Sequence, residues 1–257
     1  MANYKHLEIL KQGTDAWNRW REQYPKILPD LSEANLENTV LSFAHLSGAD
    51  LRKVNLIRAD LSAANLSEAN LSGANFGEAH FARTNLQRAN LTEARFIRTT
   101  LSSSNLSHSD LSRADLTGAY LYRADLSYTT LIGASFRAAY LGSADLEGAN
   151  LSEANLSEAH LSGANLRKAN LTGCHVYGIS VWDVELEGAI QSGLIITHPL
   201  ASTIKVDNLE VAQFIYLLLN NLVFRLISRQ AACRLGSRDS RQERLMRLPT
   251  LLRKKLV

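Results

Sequence analysis

From Leu31 to Leu186 a large apolar residue stands at every fifth position without one break in phase. Of these 32 positions, 26 are Leu, two are Val (Val176 and Val181) and four are Phe (Phe76, Phe81, Phe96 and Phe136). The position two residues earlier is Ala in 21 of the 32 cases. An α-helix cannot use this spacing, because at about 3.6 residues per turn the leucines would wind round every face and leave no stripe to bury. A spacing of two between Ala and Leu puts both on one side of an extended segment, and the polar pair that follows turns a corner. Each pentapeptide is then one side of a polygon. One such unit cannot bury its Leu alone, so coils must stack with backbone hydrogen bonds along the axis, at about 4.8 Å per coil.

The pattern predicts an all-β solenoid whose interior is lined by residues such as Leu66, Leu71, Phe76, Phe81, Phe96, Leu116, Phe136 and Leu156. Ala64, Ala114 and Ala154 sit beside them where the interior is narrow. Where Asn or Asp stands just before Leu, its short side chain can bond nearby backbone at the bend, a structural role. Phe76, Phe96 and Phe136 share a phase of twenty residues, as do Tyr120 and Tyr140, which points to four sides. Thirty-two units make about eight coils and a regular stretch of about 34 Å. Parallel crossover connections favour right-handed winding.

Stretches such as Ala64-Asn65-Leu66-Ser67-Glu68 and Ala149-Asn150-Leu151-Ser152-Glu153 identify the chain as similar to the pentapeptide-repeat proteins, over some 60% of its length. The resemblance implies a right-handed quadrilateral parallel β-helix with Leu and Ala inside. Members are abundant in cyanobacteria, and most have no assigned activity. The segment Val206-Asp207-Asn208-Leu209 through Asn221, with Gly178 to Trp182 upstream, resembles the junction in members that continue into a TIR-like α/β domain. No such domain follows in this sequence.

An open-ended solenoid exposes edge hydrogen bonds and its apolar interior, so capping segments are expected. Residues 1–29 read as a helical cap: two short helices broken at Gly13, the second capped by Thr14 or Asp15, with Trp17 and Trp20 as a lid over the first coil or as a binding patch. Residues 30–190 form the β-helix. In 191–221 a last strand at Gly193 to Thr197 precedes a helix from Leu209, capped by Asp207 or Asn208. Residues 222–257 are a basic tail, disordered or helical, that is read either as a remnant of a lost domain or as a functional tail. A shifted reading frame would explain the remnant.

Charge changes the picture at that tail. Residues 1–221 hold 18 Lys and Arg against 23 Asp and Glu, whereas 222–257 hold ten against two. Contact of the tail with nucleic acid or an anionic membrane is the reading such basicity opens. In the coils, Arg83, Arg88, Arg98, Arg113 and Arg123 form the candidate interaction surface, set against ion-pair ladders such as Arg58, Glu78 and Arg98. Met1 to Leu10 has no apolar secretory core, and the longest apolar run, Phe214 to Leu219, is too short to span a bilayer. A cytoplasmic location is expected, with Cys174 and Cys233 as structural thiols.

Phosphate-binding glycine loops, Cys-x-x-Cys pairs and His-Glu-x-x-His motifs are all absent. His80 and His160 share a side but lie four coils apart, and Asp110, Asp115 and Asp125 do not pair as catalytic carboxylates. The expected function is therefore a noncatalytic scaffold, regulatory in role, that presents flat sides to a protein partner, with no cofactor, metal or small-molecule substrate. Two alternatives stand beside it: a DNA-mimicking modulator of a type II topoisomerase, and the truncated repeat module of a TIR-like signalling protein.

Overall fold

A computed structural model describes residues 2–198 and 202–220, with the side chains of the last two residues of that range left aside. The chain divides into two compact units, Met1–Phe214 and Ile215–Val257. The expected basic tail, Cys233 and the continuation toward a TIR-like domain lie outside the described residues.

In the first unit every fifth residue from Asp30 to His175 forms a parallel bridge with the residue twenty positions on, ending in His175 with Ile195. The polygon therefore has four sides. All the Leu and Phe positions from Leu31 to Leu171 are buried, as are Ala64, Ala114 and Ala154. Phe76 stacks on Phe96 at 4.6 Å between centroids and meets Phe81 edge-on at 5.1 Å.

Why five residues close one side is visible in the backbone donors of a single unit. The Leu66 N–H donates to Asn85 O at 2.7 Å, and the Glu68 N–H to Gln87 O at 2.9 Å, both one coil ahead. The Asn70 N–H reaches back to Ala49 O at 2.9 Å, and the Ala69 N–H closes the turn on Leu66 O at 3.1 Å. The fifth N–H, that of Ser67, finds no backbone acceptor; the Asn65 side chain supplies one at 3.1 Å. The Asn/Asp of the repeat thus supplies the acceptor that the backbone lacks, and the same bond recurs at Asn105, Asp110, Asp125 and Asn155.

The residue two after each interior Leu or Phe adopts the left-handed conformation even where it is not glycine, as at Glu68 (φ 59°), Arg88 (φ 58°) and Lys168 (φ 57°). Such a residue costs about 1–2 kcal/mol, which the ladder bonds on either side offset. At Gly148 (φ 64) glycine is needed for space as well, since an added Cβ would lie 2.7 Å from the Tyr128 ring.

Where Ala is replaced inside, the hydroxyl finds a carbonyl. Thr84 donates to Leu61 O and Thr99 to Phe76 O, each at 2.7 Å, and Ser104 donates to Leu101 O at 2.6 Å. The Cys174 thiol points to Leu151 O at 3.0 Å.

Both ends are closed by side chains that stand in for a missing coil. Helices α1 (Tyr4–Leu10) and α2 (Thr14–Gln23) lie against the first turn. Trp17, fully buried, donates Nε1–H to His45 O at 2.9 Å; Asn18 Oδ1 accepts the His45 N–H at 2.9 Å. Arg21 donates to Ile27 O and Ser47 O, while His6 Nδ1 accepts the Asp30 N–H at 3.1 Å. Burial removes Trp17 from any exposed patch. The cap of α2 differs from the expected Thr14 or Asp15: Gly13 (φ 102) holds that place without a side-chain bond. Thr14 is already the first helical residue, and its hydroxyl turns to Val40 O.

At the other end β1 (Leu194–Ile195) pairs antiparallel with β2 (Lys205–Val206). The second strand leaves no mark in the sequence, because two residues carry no periodicity. Helix α3 (Leu209–Asn220) follows. Asn208 caps it, accepting the Val211 N–H at 2.9 Å, while Asp207 takes the Gly193 N–H at 2.6 Å. Gln213 Oε1 accepts the Val181 N–H.

Candidate functional site

The four sides differ only in what they present outward, and the bridging residue at the middle of each side is the most informative. Three sides carry mainly Asn and Asp there, for example the column Asn65, Asn85, Asn105, Asp125, Asp145, Asn165. The fourth runs Asp60, His80, Thr100, Tyr120, Tyr140, His160, Ser180. None of the residues from His80 to Ser180 on this side bonds the N–H two residues on, so the exchange gives up a turn bond at every coil. Stability alone does not select it.

What the side gains is a column of rings. Tyr120 and Tyr140 stack at 5.1 Å with planes 3° apart, and Tyr140 stacks on His160 at 5.1 Å with planes 13° apart. Tyr120 is 47% exposed and Tyr140 45%. At the next corner Tyr122 is exposed, with the Arg123 guanidinium 5.1 Å from its ring centroid. Tyr140 thus has a ring against both faces, Tyr120 against one, and both side chains stay about half exposed. Rigid Tyr with neighbouring Arg is the composition of protein-binding hot spots.

The five candidate arginines separate on this geometry. Arg88 and Arg113 occupy two corners away from the Tyr120 side and face Glu68 (3.8 Å) and Glu93 (3.9 Å). Arg83 and Arg123 line one edge of the Tyr120 side and Arg98 the other. Among the described residues none of these three makes an ion pair. Glu78, the nearest carboxylate in the Arg98 column, is held by Arg58 at 3.0 Å, so the ladder stops short of Arg98. The pairs that do form are exposed and worth about 0–1 kcal/mol each.

Tyr120 and Tyr140 are legible in the sequence as a repeated phase, outside the arginine surface that charge alone suggests. The signal was there: a run of non-Asn, non-Asp residues at the bridging position, recurring every twenty residues.

Among the described residues no group of three or more His, Cys, Asp or Glu gathers where a metal could be held. His80 and His160 stand at the two ends of the aromatic column, with Thr100, Tyr120 and Tyr140 between them. Asp110, Asp115 and Asp125 lie on three different sides, each with an oxygen turned to its own backbone. Burial pushes the Cys174 thiol up to about 12, which removes it as a nucleophile. No described helix is long and apolar enough to cross a membrane.

Comparison with known proteins agrees with this fold. The family model for pentapeptide repeats matches in eight copies over residues 30–67, 64–102, 101–137 and 134–173. No curated protein matches the sequence. Among solved structures, a trypsin-treated variant of QnrB1, a plasmid-mediated fluoroquinolone resistance protein, is 18% identical with a TM-score of 0.54, covering 60% of this chain and 88% of its own. HetL, a pentapeptide repeat protein involved in heterocyst differentiation regulation in the cyanobacterium Nostoc, is 31% identical over 72% of this chain and 98% of its own, with a TM-score of 0.27. A pentapeptide repeat protein of the Arabidopsis thaliana thylakoid lumen is 30% identical over 47% of this chain and 88% of its own, with a TM-score of 0.37. With the family model covering more than half of its length, the chain belongs to the pentapeptide-repeat family, whose fold is the right-handed quadrilateral β-helix.

Proposed function

We propose that the protein is a noncatalytic scaffold and that the Tyr120 side is where it docks a protein partner. One observation carries this reading: an exposed, stacked Tyr120–Tyr140–His160 column replaces the residues that the fold uses for its own turns. A partner surface laid on this side covers rigid phenol edges at small cost in side-chain order. The arginines at its edges add charge that no carboxylate among the described residues pairs.

Imitation of duplex DNA finds less support in the electrostatics. A mimic needs carboxylates in a continuous outward stripe, whereas Asp110, Asp115 and Asp125 are spread over three sides and Arg83, Arg98 and Arg123 interrupt the fourth. The likeness to QnrB1 is a likeness of fold.

The test is cross-linking and co-purification from the native organism with the unaltered chain and with Tyr120→Ser/Tyr140→Ser. A partner held by the first and lost from the second, with circular dichroism unchanged, supports the reading. Equal recovery with both removes the Tyr120 side from the function.

A further inference from the structure

The stacked rings do not account for everything on the Tyr120 side. On the other sides an Asn or Asp oxygen takes the N–H two residues on, and an open N–H is an isolated event, as at Ile97 after Arg95 or Ile132 after Thr130. On the Tyr120 side the opening is continuous. The N–H groups of Ala82, Ser102, Tyr122, Gly142, Ser162 and Trp182 have no acceptor among the described residues. They form one column along a corner, about 4.8 Å apart, and Arg83 and Arg123 stand in the same corner.

Each of these donors occupies a place where, elsewhere in the same molecule, a carboxylate or amide oxygen sits. Asp110 and Asp125 show the fit, their Oδ1 atoms lying 2.9 Å from the N–H of Ser112 and Ser127. A carboxylate brought from outside meets the same donor, and charge-assisted bonds of this kind are stronger than neutral ones. We infer that the Tyr120 side binds an acidic segment of a partner protein, whose Asp and Glu carboxylates accept the open N–H groups between Ala82 and Trp182 and pair with Arg83, Arg98 and Arg123. The inference rests on the docking role proposed for this side and adds the chemistry of what docks.

An acidic peptide fits better than a nucleic acid for two reasons. Single strands bind by stacking bases on aromatic faces, but the inner faces of Tyr120, Tyr140 and His160 cover one another. Duplex binding draws on many phosphate contacts, and this side offers three unpaired arginines beside Glu78 and Glu158, both already engaged by Arg58 and Arg137. Tyr hydroxyls and ring edges, the positive rim of the aromatic quadrupole, suit isolated carboxylates.

Fluorescence anisotropy of the full chain with a labelled polyglutamate peptide tests the inference, with polylysine and single-stranded oligothymidylate as parallel probes. Polyglutamate is expected to bind and to weaken with added salt. Arg83→Gln/Arg123→Gln should weaken it by about tenfold, the loss of two rim charges. Tyr120→Asn/Tyr140→Asn places an internal oxygen on the N–H groups of Tyr122 and Gly142 and should weaken it comparably while keeping the fold. Arg88→Gln, at a different corner, should change it less than about twofold. No polyglutamate binding, equal loss with Arg88→Gln, or tighter binding of oligothymidylate overturns the inference. If polyglutamate fails while Tyr120→Ser/Tyr140→Ser still loses a cross-linked partner, the acidic chemistry is wrong and the docking side stands; if both fail, so do both readings.

Discussion

Restoring the repeat's own residues on the Tyr120 side should stabilise the protein, contrary to the usual effect of substitution. In His80→Asn/Thr100→Asn, each Asn oxygen gains the N–H two residues on, at Ala82 and Ser102, in the geometry that Asn65 already shows with Ser67 at 3.1 Å. The two side chains also face each other one coil apart, as Asn35 and Asn55 do with an amide bond of 2.9 Å. Each turn bond contributes about 0.5–1.5 kcal/mol net, so the pair should add about 1–3 kcal/mol. For a domain of this size 1 kcal/mol moves Tm by roughly 2–4 °C, so the double variant should melt roughly 2–12 °C higher by circular dichroism. The mirror substitution is Asn105→Ala, which removes bonds to the Ser107 N–H (2.9 Å) and hydroxyl (2.7 Å) and should lower stability by about 1–2 kcal/mol. A lower Tm for His80→Asn/Thr100→Asn, or an unchanged one for Asn105→Ala, would refute the donor accounting on which the site is built.

Other perturbations probe the interior and the ends. Ala114→Leu forces three extra carbons into a fully packed column between Ala94 and Ala134 and should destabilise by about 1–3 kcal/mol or more, read as a fall in Tm. Trp17→Ala uncovers the first coil and leaves His45 O without its donor; a loss of about 3–5 kcal/mol is expected in thermal melts. Cys174 should resist thiol reagents in the native state at neutral pH and react on unfolding, because burial pushes its thiol to about 12; rapid native labelling would contradict that. Acid should weaken the fold. The hydrogen bond from Arg52 is the main cause that lowers the Asp50 carboxyl, and at Asp60 burial pushes upward but is outweighed by bonds from Ser42 and Ser62. A carboxyl depressed on folding stabilises fully above its unfolded value of about 4 and loses that contribution as pH falls through the folded one. Tm should therefore decline below about pH 4, and a Tm that rose on acidification would oppose this assignment.

The interior was readable because burial imposes a strict demand at two of five positions: Leu66 and Ala64 have no alternative inside. Corners were less readable. Nothing in Glu68 or Arg88 as residue types announces a left-handed backbone, since the ladder imposes it. The ends were visible as apolar helices, but Trp17, Asn18 and Arg21 act through individual hydrogen bonds to backbone groups of the first coil, and such pairings leave no period in a sequence. At the candidate site, counting arginines from Arg83 to Arg123 merged residues that the four-sided winding sends to different corners. Only placement modulo twenty separates Arg88 and Arg113, which face glutamates, from Arg83, Arg98 and Arg123.

The pairing of each residue with the one twenty positions on has a consequence for how such a surface can change by insertion. Duplicating a single pentapeptide preserves every interior contact type, yet it gears everything downstream forward by a quarter turn. Placed between Tyr120 and Tyr140, it would put the two rings on adjacent walls, dismantling the aromatic column in a protein that still folds. Duplicating four pentapeptides at the same point would lengthen the column by one rung and keep it straight. The outward face is therefore heritable only in whole coils, whereas the core tolerates any whole number of sides.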